Sequence, residues 1–188
     1  MRAHLDQDHR YEHSVRVARC AELLAQRHYV DAGKARVAGM LHDLARLYSG
    51  PRLLDECERR EIPIGEFERH NPIVLHAPLG AALARDEFGI DDPDVLSAIA
   101  KHTLGDAEMS PLDCILYLAD SLEPGRDFAE REDLWNLALS DLRAAMSMTI
   151  LASIDYLHAH GREPAPQTLA ALHAFQTIVK KGATPSLN

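Results

Sequence analysis

The sequence predicts an all-α fold, a single helical bundle, on three observations. Apolar residues recur at i, i+3, i+4 and i+7 along most segments. Acidic or hydroxyl residues and prolines open those segments, and glycines close them. No stretch reads convincingly as a strand. With 188 residues, 46% of them apolar, the chain suffices for one domain with a real core and is short for two. That domain is expected over residues 1–188, with its core over about 8–181 and a frayed tail over 182–188.

The first helix is expected from about Asp8 to His28. Val17, Cys20 and Leu24 share its inward face, and His13, four residues before Val17, joins them. Gly33 ends the region. A second helix, from about Ala35 to Ala45, carries Val37, Ala38, Met40 and Leu41. It places the adjacent pair His42-Asp43 near its C-terminal end, before Ser49-Gly50-Pro51 breaks the pattern. Residues 52–61 read as a charged surface helix and 62–65 as a turn. Asn71-Pro72 and Ala77-Pro78 bracket His76. A proline disfavours α conformation in the residue before it and fits a helix's first turn. His76 is therefore expected just ahead of a helix from Pro78 to Phe88 that stops at Gly89.

Asp91-Asp92-Pro93 opens the next helix, with Val95, Ile99 and His102 on one inward face. Ser110-Pro111 opens another, with Asp113 at the capping-box position. Leu112, Leu116 and Asp120 recur every four residues there, so Asp120 is expected on the buried face. Glu123-Pro124-Gly125-Arg126 ends that helix. One long helical pattern fills 130–160 and closes at Gly161. After a turn at 162–166, the last helix is expected from about Thr168 to Lys181, carrying Leu169, Leu172, Ile178 and Val179.

A formal net charge of −9 argues against broad nucleic-acid binding, which needs a basic surface to displace counterions. It leaves room for a phosphorylated small molecule, because metal ions and a few arginines reverse the field inside a cleft. Cys20, Cys57 and Cys114 are odd in number and far apart, which suggests reduced thiols in the cytoplasm. Residues 1–10 lack the apolar core of a signal peptide, and no apolar run approaches membrane-spanning length. No membrane partner is expected, and a homodimer is left open.

Six groups, His13, His42, Asp43, His76, His102 and Asp120, stand in apolar stretches or at helix ends. A lone inward histidine is more often a core residue bonded to a carbonyl than a ligand. Burying this whole set without metal would be costly. Neutral imidazole with carboxylate suits Fe, Mn or Zn, and such a set leaves coordination positions for water and substrate in metal-assisted hydrolysis. His4, His28, His158 and His160 lie in polar or terminal contexts and read as solvated. Lys101 reads as a surface lysine, Trp135, Met146 and Met148 as packing, and 131–133 as a solvated face.

The order His13, His42-Asp43, Asp120 resembles the H…HD…D signature of the HD-domain metal-dependent phosphohydrolases. His76 and His102 look like the additions of the subgroup with expanded metal sites. Longer stretches narrow the resemblance: His9-Arg10-Tyr11-Glu12-His13, His42-Asp43-Leu44-Ala45-Arg46, His70-Asn71-Pro72 with His76-Ala77-Pro78-Leu79-Gly80, His102-Thr103, and Tyr117-Leu118-Ala119-Asp120 with Glu123-Pro124-Gly125-Arg126. Together they are similar to the bacterial YqeK family of symmetrical diadenosine tetraphosphatases, from about Arg10 to His173.

The resemblance implies cleavage of diadenosine tetraphosphate, a dinucleoside polyphosphate, into two ADP; phosphoanhydride chemistry suggests attack of metal-held hydroxide on an inner phosphorus. The metal would be one or two ions of iron, with Mn, Zn or another divalent ion as alternatives. His13, His42, Asp43 and Asp120 would be ligands, Asp43 bridging to a second ion if His76 and His102 complete that site. Asp43, His76 and His102 would also be catalytic, the histidines as ligands or as groups that protonate or orient phosphate. Nucleotide contacts would fall on Arg10, Asp43, Leu44, Ala45, Arg46, His76, His102, Thr103, Asp120, Arg126 and the segment Thr168-Leu169-Ala170-Ala171-Leu172-His173. Arg46 stands where the family's pattern has lysine, a planar fork in place of a point charge. The alternatives are an HD phosphohydrolase acting on a nucleoside monophosphate, dNTP or cyclic nucleotide, and a non-catalytic nucleotide-binding domain.

Overall fold

A computed structural model describes residues 8–182 of the chain, with side chains over 9–176. His4, the tail over 183–188 and the side chains of Ile178 and Val179 lie outside the described residues. Ten α-helices follow one another there: α1 (Asp8–Arg27), α2 (Ala32–Leu41), α3 (Gly50–Arg59), α4 (Glu66–His70), α5 (His76–Phe88), α6 (Pro93–Lys101), α7 (Pro111–Leu122), α8 (Arg131–Ala138), α9 (Leu142–Ala159) and α10 (Pro166–Gly182), with a 3₁₀ turn at Pro72–Leu75.

Helix α7 is the axis. Leu112, Cys114, Ile115, Leu116, Tyr117, Leu118, Ala119 and Leu122 are all buried, so it is apolar almost all round and must lie inside. Helices α1, α2, α6, α8 and α9 pack on it. Its start is fixed by the expected capping box: the Ser110 hydroxyl accepts from Asp113 N and the Asp113 carboxylate from Ser110 N. The Asp92 side chain caps α6 by accepting from Asp94 N and Val95 N, and Gly89 takes the left-handed conformation (φ 66°) that stops α5.

Helix α2 lies against α1 with Gly39 at the crossing. A Cβ there would stand 2.6 Å from Ala18 Cα and 2.9 Å from Ala18 N, so only glycine permits this approach. The sequence pattern carries α2 to Ala45, but the helix ends at Leu41. Beyond it the winding tightens to three-residue turns, with Leu44 N on Leu41 O (3.3 Å), Arg46 N on Asp43 O (2.9 Å) and Tyr48 N on Ala45 O (3.0 Å). His42 and Asp43 therefore sit in a turn, not in a helix.

Three further differences have local causes. The pattern at 130–160 divides into α8 and α9, because the Asp141 side chain accepts from Arg143 N and Ala144 N and so starts a new helix. His76 is the first residue of α5 rather than a residue ahead of it, because the 3₁₀ turn runs straight into that helix. Neither α4 nor the 3₁₀ turn is apparent in the apolar pattern, being too short to show a period. The expected packing role holds for buried Met146 but not for Met148, which is 49% exposed. His28 is not simply solvated: its Nε2 lies 2.7 Å from Ala138 O. Lys101 bonds Glu108 O and lies 3.4 Å from Asp113 Oδ2.

Candidate metal centre

The six groups converge. His13 comes from α1, His42 and Asp43 from the turn after α2, His76 from the start of α5, His102 from the end of α6 and Asp120 from α7. All four imidazoles and Asp43 are buried, and Asp120 is partly so. One local device orients three of the rings. His42 Nδ1 lies 2.8 Å from Gly39 O, His76 Nδ1 2.5 Å from Ile73 O, and His102 Nδ1 2.7 Å from Ile99 O. Each donates to the carbonyl three residues earlier, which fixes the tautomer and turns the bare Nε2 inward. His13 is held by a side chain instead: its Nδ1 lies 3.0 Å from Glu123 Oε1.

Asp43 stands between two sets of nitrogens. Its Oδ2 is 3.7 Å from His42 Nε2 and 3.9 Å from His13 Nε2, while its Oδ1 is 3.4 Å from His76 Nε2 and 4.0 Å from His102 Nε2. Asp120 Oδ1 joins the first set, 3.1 Å from His13 Nε2 and 3.8 Å from His42 Nε2. In the second set His76 Nε2 and His102 Nε2 approach to 3.1 Å, with the Thr103 hydroxyl 3.2 and 3.1 Å from them.

The electrostatics suit a cation. Burial holds His76 below its ordinary pKa and pushes His102 down to about 3, with His42 and His76 beside His102 adding to the effect. Both rings are thus neutral near pH 7 and offer lone pairs. Burial works against ionising Asp43 and Asp120, yet both pKa values are lowered, Asp43's chiefly by His42 and Asp120's by the His13 hydrogen bond, His42 and Arg126. Burial also opposes protonating His13, but hydrogen bonds to Asp120 and Glu123 raise its pKa. His42 Nε2 is buried with no hydrogen-bond partner, a cost that a ligated ion would remove. Three overlapping triplets have ligand atoms close enough to share an ion: His13-His42-Asp43, His42-His102-Asp120 and Asp43-His76-His102. The residues therefore fit a metal centre.

A cleft of about 420 Å³ opens over this cluster. Arg10, Arg46, Arg126 and Arg162 line it, reversing locally the sign of an acidic chain. Arg10 Nη1 lies 3.5 Å from Asp43 Oδ2, and Arg126 Nη2 donates to Asp120 Oδ1 at 2.6 Å. Thr103 lines the cleft, as does Thr168, whose hydroxyl donates to Leu104 O. The side chains of Leu44 and Ala45 point into the core. Of the segment 168–173 only Thr168 lines the cleft; Leu169 is 48% exposed, Ala171 is in the core and Leu172 packs on it. Sequence spacing missed Glu123 and Arg16. Arg16 Nε donates to Glu123 Oε2 at 2.5 Å and Gly125 N to the same oxygen at 2.6 Å, so the carboxylate that holds His13 is itself clamped.

The HD domain family model matches residues 10–125. The chain is 35% identical to "Bis(5'-nucleosyl)-tetraphosphatase, symmetrical" of Bacillus subtilis (strain 168) over 161 residues, 86% of each chain. It is 35% identical to the protein of the same description from Halalkalibacterium halodurans over 163 residues, 87% of each chain. A solved structure, a "predicted HD superfamily hydrolase involved in NAD metabolism" from Clostridium acetobutylicum, superposes with a TM-score of 0.87 at 36% identity, covering 90% of this chain and 89% of that one.

Proposed function

The chain belongs to the HD domain family, and we propose on that premise that it is a cytoplasmic metal-dependent hydrolase cutting diadenosine tetraphosphate into two ADP. The observation that carries the reading is Asp43 with a set of imidazole nitrogens at each carboxylate oxygen, beneath an arginine-lined cleft. His13, His42, Asp43 and Asp120 would hold one ion, and Asp43, His76 and His102 a second. Iron is the proposed metal, as the family resemblance implies. When bound, such ions neutralise phosphate charge and lower the pKa of water toward about 7.

The chain's own residues supply the rest. Arg10, Arg46 and Arg126 provide planar forks for the four phosphates, and Arg126 lines the cleft beside Asp120. Asp120 and Asp43 are ionised and so repel phosphate unless cations intervene, which ties substrate binding to metal loading. The Thr103 hydroxyl, within 3.2 Å of both His76 and His102, is placed to orient a phosphate oxygen beside them. Glu123 acts through His13 as a positioning residue. Glu123→Gln keeps the size but removes the charge that holds the ring, and metal affinity is expected to fall about 10- to 100-fold. Metal titration checks this, and an unchanged affinity would count against the role.

Chromatography of products from diadenosine tetraphosphate with added Fe or Mn tests the whole reading. Two ADP are expected, lost on chelation and restored by metal; ATP with AMP would refute symmetric cleavage. Hydrolysis of a nucleotide monoester with the tetraphosphate untouched would replace this substrate with another.

A further inference from the structure

The cleft over the metal centre does not end there. A second cavity of about 710 Å³ lies between α7, α8 and α9. It shares Asp120, Ser121, Arg126, Ser153 and Leu157 with the first, so the two meet at the Asp120–Arg126 pair. Both volumes fall within the range of about 300–1,000 Å³ typical of small-ligand sites. We infer that this second cavity is the seat of the second nucleoside of a dinucleoside polyphosphate, held there while the first occupies the cleft.

The inference rests on the proposed function and deepens it. Symmetric cleavage places the scissile linkage at the substrate's midpoint. A nucleoside with two phosphates must then extend to each side of the catalytic centre. The cleft accounts for one half; the cavity beyond Asp120 and Arg126 is where the chain leaves room for the other. Arg126 is the natural divider, with Nε on Asp120 O at 2.9 Å and Nη2 on Asp120 Oδ1 at 2.6 Å, so its fork sits at the junction.

The walls suit a nucleoside. On α9, Thr149, Ala152, Ser153 and Tyr156 follow at helical spacing and form one side of the cavity. The first three are small, which is what leaves the space open. Aromatic rings stand at the rim: Phe128, 38% exposed, and Tyr156, 58% exposed, with Tyr156 backed by the His160 ring at a centroid distance of 4.1 Å. Exposed aromatic rings over an open cavity offer base stacking, which tolerates any base.

Three single variants test this: Phe128→Ala and Tyr156→Ala, which remove stacking surface, and Ala152→Trp, which fills the cavity. Each is compared with wild type on diadenosine tetraphosphate and on adenosine tetraphosphate, which carries one nucleoside. Wild type is expected to prefer the dinucleotide in kcat/KM. The alanine variants are expected to cut that preference about tenfold, the scale of one lost stack, and Ala152→Trp to abolish it. Binding gives an independent readout. The Kd of a diadenosine analogue with methylene at the central bridge should rise by the same factor, while the Kd of ADP changes less. If wild type yields two ADP but every variant keeps the preference and the analogue's Kd, the second site is overturned and the activity stands. If wild type leaves the dinucleotide intact, both fall.

Discussion

Asp43→Asn is expected to lower turnover by about three orders of magnitude or more, the scale of losing one member of a catalytic set that acts as a unit. The substitution preserves shape, so the effect isolates chemistry. Both carboxylate oxygens are engaged, Oδ2 facing His42 and His13 and Oδ1 facing His76 and His102. An asparagine supplies one neutral oxygen and one NH2 group. Whichever way it turns, the NH2 group points at one imidazole set, where it can donate a hydrogen bond but cannot ligate. Under the proposed roles one ion is lost outright and the other loses a negative ligand. Elemental analysis should show metal per chain falling by at least half, and Asp43→Ala and His42→Ala should do the same. The fold should survive, because the core packs around α7 and its apolar neighbours rather than around the cluster. A variant that keeps both its metal and a tenth of its turnover would sink the bridging role.

The convergence of the His/Asp cluster is legible in the sequence because its residue types are conspicuous. A histidine four before a valine, a histidine seven after one, or an aspartate four after a leucine stands out on a helical face, and His13, His102 and Asp120 are found that way. What holds them is less legible. Three rings are fixed by backbone carbonyls three residues earlier, a contact that any residue type at that position can make. Glu123 reads as part of a helix stop, since its tie to His13 runs across 110 positions of chain and leaves no periodic trace. The helix ends follow the same logic. Asp92 and Ser110 cap where capping chemistry says they should. Asp141 caps as well, yet it sits inside a continuous apolar pattern that hides the break. The tightened turn after Leu41 has no proline or glycine to announce it. Tertiary packing decides it, by bringing His42 and Asp43 to the other four groups.

Gly39→Ala is expected to destabilise the chain by about 2 kcal/mol, against the direction of helix propensity. In an exposed helix interior alanine is better than glycine by roughly 0.5–1 kcal/mol. At this position the added Cβ would lie 2.6 Å from Ala18 Cα, 2.9 Å from Ala18 N and 3.2 Å from Val17 C. Every one of those atoms is backbone, so no side-chain rotation relieves the contact and the two helices must move apart. Overpacking of this kind costs roughly 1–3 kcal/mol, and for a chain of this size each kcal/mol lowers Tm by about 2–4 °C. A drop of about 5 °C in a thermal melt is the expected result. The separation also bears on the metal centre, because α1 carries His13 and the turn after α2 carries His42, with ring centroids 5.3 Å apart. Metal affinity should therefore fall along with stability. Adding Ala18→Gly should not restore either property, since the obstructing atoms are Ala18's backbone and not its methyl group. A Tm equal to or above wild type would show that the helices yield without cost, and that the close approach at Gly39 is not what sets the distance between His13 and His42.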